Sequence, residues 1–306
     1  MRTPKTSRLN RGRFGLSGFW MPGVNFFQAI ELLKNSSLEG FELVPAEFQS
    51  AVGMPFLPTP GPWIRDIDPP LKARMKEALA HFKTLTLHAH HRDLNISAEN
   101  PGIREESAKQ YLECLQLALD LNINTVTFHP GFPSRPMSLY KPVIQHNVEF
   151  GKRVAEIAEK YGLQCGFENV GTIGNIIGIN ADQIEEIITQ VGSRRFGVLI
   201  DIGYTIREGG PCEGNPTRLR TEKWFRRFRN RITEVHLHGL TAANGLSHHQ
   251  HLFLDNVQNF GDLVEILDTY YPEGPIIMEP TAKDAATVVE YAQKDLDLLL
   301  GSARRK

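Results

Sequence analysis

The sequence predicts an α/β fold, a single (β/α)8 TIM barrel. Eight apolar runs of strand-like composition alternate with helical segments along the 306 residues, and no change in composition marks a domain boundary. Such alternation predicts parallel strands joined by helical crossovers, and eight repeats at this length suit a closed barrel better than an open sheet. In addition, six of the predicted strands end on a residue that can bind a metal ion.

The predicted elements follow from apolar periodicity and from capping residues. Asn25 is a good N-cap for the first helix, and Gly162 follows the helix over 147–161 as a C-cap glycine does. The predicted strands are 13–17, 38–44, 84–88, 125–129, 163–168, 197–201, 233–236 and 275–279. The predicted helices are 26–34, 71–82, 101–121, 147–161, 181–191, 224–229, 262–271 and 284–300.

The barrel is predicted to occupy residues 13–300, between a basic N-terminal tail at 1–12 and a C-terminal tail at 301–306. The basic tail lacks the apolar segment of a secretory signal, and no apolar run reaches the ~18 residues of a membrane span. The cysteines Cys114, Cys165 and Cys212 form no Cys-x-x-Cys pair, which is typical of free thiols in a reducing compartment. We therefore expect a cytoplasmic protein that makes no membrane contact.

The charge balance argues against nucleic acid as a partner. The chain has 34 Lys and Arg residues against 35 Asp and Glu residues, so its formal net charge is −1. Domains that bind nucleic acid usually carry a basic excess, and a small-molecule substrate is the expected partner instead. Two long loops rich in proline and glycine, 45–70 and 203–221, are predicted to form the walls of its pocket. No feature of the sequence indicates an oligomeric state.

Residues with metal-binding side chains end six of the predicted strands: His88, His129, Glu168, Asp201, His236 and Glu279. The carboxyl ends of barrel strands meet at one mouth, where so many polar groups would be costly to hold together without a cation. Three histidines, two glutamates and one aspartate suit Zn²⁺ or Mn²⁺, with Fe²⁺ or Co²⁺ as further options. A central carboxylate, here Glu168, can bridge two such ions.

Short motifs at these strand ends carry a family resemblance. They are Leu87-His88-Ala89 with Asp93-Leu94-Asn95, Phe128-His129-Pro130-Gly131, Phe167-Glu168-Asn169, Asp201-Ile202-Gly203, His236-Leu237-His238 and Met278-Glu279. In this order the chain resembles the xylose-isomerase-like barrel superfamily over nearly its whole length. That superfamily includes endonuclease-IV-type AP endonucleases and many sugar isomerases and epimerases.

The resemblance implies two alternative metal sites. In the endonuclease branch, His88 and His129 match ligands of a first metal, Glu168 matches the bridge, and a second metal has three more ligands: Asp201, His236 and Glu279. In the epimerase branch, a single metal is held by Glu168, Asp201, His236 and Glu279, and the two glutamates also move protons. The use of all six positions favours the first pattern, with two ions per chain.

The chain also departs from the endonuclease pattern. Tyr204 stands where that branch has a third-metal histidine, and His249 and His251 stand in place of its Asp-x-His pair. These three residues are expected to form an altered third metal site or to contact substrate. The glycine-rich start that helps the endonucleases to grip DNA is not found. A narrower likeness of 236–239 and 251–254 to cobamide-remodelling phosphodiesterases makes a cobamide-type substrate one option.

Three functions follow from these features. The first is metal-assisted hydrolysis of a phosphoester in a small molecule, with Asn169 and His238 orienting ligands. Phosphate would be held by cations expected at the mouth: Arg92, Arg135, Lys141 and Arg207. The second is isomerisation or epimerisation of a sugar or keto acid, with one metal and proton transfer by Glu168 and Glu279. The third, suggested by Tyr204, is a metal-binding barrel without catalysis.

Overall fold

Eight parallel strands close into a barrel, which confirms the predicted fold class. The computed structural model describes residues 7–45, 61–134, 140–170, 177–208, 214–241 and 247–304. The barrel strands are β1 (Phe14–Ser17), β2 (Gly40–Leu43), β3 (Thr84–His88), β4 (Thr125–Phe128), β5 (Gln164–Glu168), β6 (Phe196–Asp201), β7 (Ile232–Leu237) and β10 (Ile276–Met278). Each pairs with the next along the chain, and β1 pairs with both β2 and β10.

Helices alternate with the strands along the chain. They are α1 (Phe26–Lys34), α2 (Pro69–Leu79), α3 (Pro101–Leu121), α4 (Tyr140–Tyr161), α5 (Ala181–Val191), α6 (Ile202–Arg207), α7 (Glu222–Phe228), α8 (Phe260–Tyr270) and α9 (Ala285–Arg304). The Asn25 side chain caps α1 in a capping box with Gln28, and Asn180 caps α5. These caps satisfy backbone N–H groups that a helix start leaves unpaired. Among the described residues, none of the helices is both long and apolar enough to cross a membrane.

The structure differs from the predicted elements at several places. Helix α9 continues to Arg304, beyond the predicted end of the barrel at residue 300 and into the predicted C-terminal tail. Helix α4 begins at Tyr140 rather than at 147, and Pro142 lies in its first turn, where proline is tolerated. The short helix α6 follows β6 directly and occupies the start of the predicted loop 203–221. The histidine-rich segment after β7 forms an antiparallel hairpin of β8 (Gly239–Thr241) and β9 (Ser247–Gln250).

Aromatic side chains fill the space between the barrel and its helices. Phe128, Phe167 and Phe196 on β4, β5 and β6 contact Phe150 of α4, Tyr111 of α3 or each other at centroid distances between 5.1 and 6.2 Å. All five are at most 3% exposed. Burial of a phenylalanine side chain stabilises a fold by roughly 1.5–3 kcal/mol. This packing fixes the strands whose ends carry the predicted ligands.

Candidate metal centre

The six predicted ligands lie at one end of the barrel. His88, Glu168 and Asp201 are the last residues of β3, β5 and β6, and His236 is the penultimate residue of β7. His129 and Glu279 directly follow β4 and β10. All except His129 are buried, and the His129 side chain is 25% exposed. The strand ends therefore bring the six side chains to one mouth, as parallel strands in a barrel must.

Glu168 lies at the centre, and its two carboxylate oxygens face different histidines. Oε2 lies 3.0 Å from His88 Nε2 and 2.8 Å from His129 Nε2. Oε1 lies 3.6 Å from His236 Nδ1. Burial alone would raise the pKa of Glu168, but the charge of His129 and hydrogen bonds from the surrounding histidines lower that pKa well below its usual value. Glu168 is therefore an anion that can serve two cationic positions.

His236 joins this centre to the barrel interior. Its Nδ1 lies 3.3 Å from Glu279 Oε2, and its Nε2 lies 3.1 Å from Glu42 Oε2. His236 and Glu42 are fully buried. Burial lowers the pKa of His236, but the charges of Glu279 and Glu42 outweigh it and raise that pKa well above its usual value. Glu42 thus holds Nε2, so that Nδ1 is directed to the mouth of the barrel.

A second buried glutamate lies close to Glu42 inside the barrel. Glu234 Oε2 accepts a hydrogen bond of 2.9 Å from Thr127 Oγ1. Burial and the charge of Glu42 raise the pKa of Glu234 to about 8. Glu234 is therefore mostly protonated at pH 7.

Asp201 is held in place by its neighbours. Its Oδ1 accepts the Tyr204 N–H at 2.9 Å and lies 3.3 Å from His238 Nε2. Asn169 fixes the backbone, because its Oδ1 accepts the Asp201 N–H at 2.6 Å and its Nδ2 donates to the Asp201 carbonyl at 3.1 Å. His238 packs against Gly203, where an added Cβ would lie 2.1 Å from His238 Cε1. Asn169 and His238 therefore both contact Asp201.

The side chains present fit bound divalent cations. Asp201 Oδ2 is buried and forms no hydrogen bond with any described residue, and the buried His236 Nδ1 faces the carboxylates of Glu168 and Glu279 at 3.6 and 3.3 Å. Ligand atoms of Glu168, Asp201 and His236 all lie within 4.8 Å of one another, and so do those of His88, His91 and His129. Unpaired buried polar atoms that converge in this way are costly unless an ion or water satisfies them. The oxygen and imidazole donors match the preferences of Zn²⁺ and Mn²⁺.

A pocket of about 230 Å³ opens above these residues. Its lining combines ligand candidates with aromatic side chains: Ser17, Phe19, Trp20, Val44, His88, His91, Arg92, His129, Glu168, Tyr204, His249 and Glu279. Trp20 packs on His249 with ring centroids 4.3 Å apart, and the Arg92 guanidinium lies 5.5 Å from the Phe19 ring centroid. The pocket therefore has an acidic and imidazole floor, aromatic walls and a cation at its edge.

The hairpin of β8 and β9 is tied to the segment that follows β10. The carbonyl of His249 accepts hydrogen bonds from both the N–H and the Oγ1 of Thr281, each at 2.9 Å. His249 Nδ1 lies 3.2 Å from the Glu279 carbonyl oxygen. The backbone of His249 is left-handed, with φ of 58°. These contacts place the His249 ring on the pocket wall.

The predicted outer residues divide into two groups. Tyr204, His249 and Arg92 line the pocket. His251 does not reach it, because its buried ring faces α9, with Nδ1 3.5 Å from Asp295 Oδ2 and the ring edge-on to Tyr291. The expected third metal set of Tyr204, His249 and His251 is therefore not brought together.

The other predicted phosphate-binding cations lie away from the pocket lining. Lys141 is exposed in the first turn of α4, and Arg207 is half-buried at the end of α6. Arg135 lies outside the described residues.

Several residues at the site were not singled out from the sequence. The Glu42 side chain points into the barrel from a short buried strand. A charged residue is unusual at such a position and can therefore indicate a functional site. His91 follows His88 by three residues, in a histidine-rich segment that also contains His90. Phe19 and Trp20 come from the loop after β1 and carry no sequence signal for a pocket wall.

Comparison with known proteins agrees with this architecture. The model of the family described as "Xylose isomerase-like TIM barrel" matches residues 30–300. The chain belongs to this family.

An uncharacterized protein of Methanocaldococcus jannaschii is 28% identical over 130 residues, which are 42% of this chain and 44% of that protein. A "Probable endonuclease 4" of Aquifex aeolicus is 24% identical over 182 residues, or 59% of this chain and 61% of that protein. The matched region thus spans between two fifths and two thirds of these relatives. The crystal structure of a "D-tagatose 3-epimerase-like protein" has a TM-score of 0.71 and 21% identity, and the match covers 94% of this chain and 98% of that chain. At this identity the structural likeness concerns the fold.

Proposed function

We propose that this protein is a divalent-metal-dependent hydrolase with a dinuclear centre, which cleaves a phosphoester in a small molecule. The observation that carries this proposal is the arrangement around Glu168. One of its oxygens faces His88 and His129, and the other faces His236. A carboxylate shared in this way between two sets of ligands can bridge two cations and offset their mutual repulsion.

Two groups of side chains would hold the ions. His88, His129 and Glu168 would form the first position, and the second position would have four ligands: Glu168, Asp201, His236 and Glu279. The bound ions would supply a lowered pKa for an attacking water and charge stabilisation for the phosphoryl group. The chain itself fixes the ligands, through Glu42 on His236 and Asn169 on the Asp201 backbone.

The pocket wall would bind and orient the substrate. Arg92 is an exposed cation at the pocket edge, and a guanidinium binds phosphate oxygens well. Phe19 and Trp20 would shield the reacting group from bulk water. The pocket volume of about 230 Å³ lies below the usual range for drug-sized ligands, so a compact phosphoester or one end of a larger one fits best. The net charge of −1 favours such a substrate over DNA.

A second candidate function is epimerisation or isomerisation of a sugar. Glu168 and Glu279 lie 3.6 and 3.3 Å from the same His236 nitrogen, and both line the pocket. Two carboxylates beside one metal position could exchange a proton at a substrate carbon. The name of the "D-tagatose 3-epimerase-like protein" belongs to this reaction class. In this case His88 and His129 would contact substrate rather than metal.

The number of bound ions distinguishes these functions. We expect the Zn²⁺- or Mn²⁺-loaded protein to hold two ions per chain by elemental analysis, and the double variant His88→Ala/His129→Ala to lose the first. We also expect release of alcohol from a panel of small phosphodiesters and phosphomonoesters. A single ion that the double variant retains, together with solvent deuterium entering a carbon-bound position of a ketose, would support the epimerase instead. Two ions without either reaction would indicate a metal-binding barrel.

A further inference from the structure

We propose that His91 is an additional ligand of the first metal position, which would then have three imidazoles, those of His88, His91 and His129. This inference rests on the proposed dinuclear centre and specifies its composition. Neither family pattern described above uses a residue at this place. His91 lies on the loop after β3, three residues beyond His88.

The geometry brings the three rings together. His91 stacks on His129 with a centroid distance of 3.8 Å and an interplanar angle of 7°. The His88 ring is 5.7 Å from His91 and 5.1 Å from His129, at steep angles to both. One nitrogen from each of the three lies within 4.8 Å of the others. Two atoms bound to one cation at about 2.1 Å lie at most about 4.2 Å apart, so the three rings would draw together slightly to share an ion.

His91 also carries an unsatisfied polar atom. Its Nδ1 is buried and forms no hydrogen bond with any described residue. Buried polar atoms are nearly always paired, so an unpaired one calls for an ion or a water. The ring lines the same pocket as His88, His129 and Glu168. A metal ion at the first position would provide a partner for the imidazole of His91.

The neighbouring His90 differs from His91, because both of its ring nitrogens have partners within the protein. His90 is 1% exposed, and its Nε2 lies 2.9 Å from Gln110 Oε1. Its Nδ1 lies 3.5 Å from Cys114 Sγ, and its ring packs against Trp63. The chain thus satisfies His90 within α3 and directs His91 to the pocket.

A third imidazole would make the two metal positions chemically different. The first would have three neutral nitrogens and one shared carboxylate, which favours Zn²⁺, Co²⁺ or Fe²⁺. The second would have carboxylates from Glu168, Asp201 and Glu279 with one imidazole, a harder set that also accepts Mn²⁺. The rings of His91 and His129 are nearly parallel, so their nitrogen lone pairs do not converge on one point. Coordination of one ion by both rings would therefore increase the small angle between them.

Metal titration of the His91→Phe variant tests this inference, since phenylalanine keeps the stacked ring but offers no nitrogen. We expect Co²⁺ affinity at the first position to fall by more than the roughly 10–100-fold that loss of an outer-shell partner costs. The visible absorption of Co²⁺ bound there should change as well. His90→Phe is the matched control and should leave both the affinity and the spectrum unchanged. Thermal unfolding of the metal-free variants verifies that each one folds.

Unchanged affinity and spectrum in His91→Phe would show that His91 only stacks on His129, while two bound ions would still support the dinuclear centre. If the wild-type protein binds one ion that His88→Ala/His129→Ala retains, the proposed function itself fails and this inference fails with it. X-ray absorption of the two-zinc wild-type protein needs no variant. It should count one imidazole per chain more than His88, His129 and His236 supply, and a count without that excess would overturn the proposal.

Discussion

Glu42 and His236 meet inside the barrel, where Glu42 Oε2 lies 3.1 Å from His236 Nε2 and neither side chain is exposed. The two residues come from β2 and β7, which are not adjacent strands. The contact therefore crosses the barrel interior and reaches the proposed second metal position through the opposite nitrogen of the ring. A histidine held in this way presents its free nitrogen in a fixed orientation and with greater basicity.

The first prediction concerns this contact. Glu42→Gln should weaken metal binding at the second position by about 10–100-fold, because the amide is neutral and supports the imidazole less well. Calorimetric titration with Zn²⁺ or Mn²⁺ would measure the change. Glu234→Gln is the matched control. Its pKa of about 8 means that Glu234 is already neutral at pH 7, so its amide should alter binding little. Equal losses in both variants would contradict a specific role for Glu42.

The second prediction is a pH dependence of metal binding at the first position. Burial opposes protonation of His88, but the hydrogen bond to Glu168 and its charge raise the pKa of His88 to about 9 in the metal-free protein. A metal must displace this proton, so affinity should rise by about tenfold per pH unit for each proton released and level off above about pH 9.

The raised pKa of His88 also makes the stability of the metal-free protein depend on pH in a defined direction. A raised pKa means that the protonated His88 stabilises the metal-free fold fully below the unfolded value near 6.5, and that this contribution is lost as pH rises through about 9. Chemical denaturation of the metal-free protein at several pH values would detect it. In His88→Gln this part of the pH dependence should disappear, and its persistence would assign it to another group.

The third prediction concerns the tight packing at the start of α6. Gly203→Ala should destabilise the fold by about 1–3 kcal/mol, since the new Cβ would lie 2.1 Å from the His238 ring. His238 would be pushed away from Asp201, and metal affinity should fall with stability.

Gly301→Ala offers the control for that substitution. Gly301 also lies in a helix, but its added Cβ would meet no atom within 4 Å. Alanine there should stabilise the fold by about 0.5–1 kcal/mol through helix propensity alone. Thermal melts of both variants would compare them, and similar stabilities would contradict the predicted clash.

The fourth prediction concerns thiol reactivity. Cys114 and Cys165 are fully buried, and burial raises the pKa of both thiols above the usual range. Because the thiolate is the reactive form, both should resist alkylation in the native protein and react after denaturation. Mass mapping after treatment with iodoacetamide would measure this. Fast modification of either residue in the folded protein would show that its part of the barrel opens readily.

The sequence was sufficient to predict the barrel fold because clear sequence signals mark the ends of its strands and helices. Helix α3 begins at Pro101 and ends at Leu121, as predicted, since a proline opens it and an asparagine in left-handed backbone follows it. Six ligand candidates could be placed at the mouth because strand ends in a barrel share one side. Their roles as ligands remain a proposal.

Side-chain direction beyond the strand ends could not be predicted. His249 and His251 are two residues apart, yet one faces the pocket and the other faces α9, because the left-handed backbone at His249 changes the course of the chain. The sequence placed Glu42 on the second predicted strand, but its partner, His236 on β7, is 194 residues away. Contacts of such range follow only from the closed barrel.

The double hydrogen bond from Thr281 to the His249 carbonyl has a mechanical consequence. Glu279 lies two residues before Thr281, so the proposed metal ligand and the hairpin that forms the pocket wall are parts of one connected unit. A load on either part is transmitted to the other. Metal binding at Glu279 would therefore restrict the movement of the pocket wall that contacts the substrate. A substrate that displaces His249 would in turn move Glu279 and change the affinity for the metal ion.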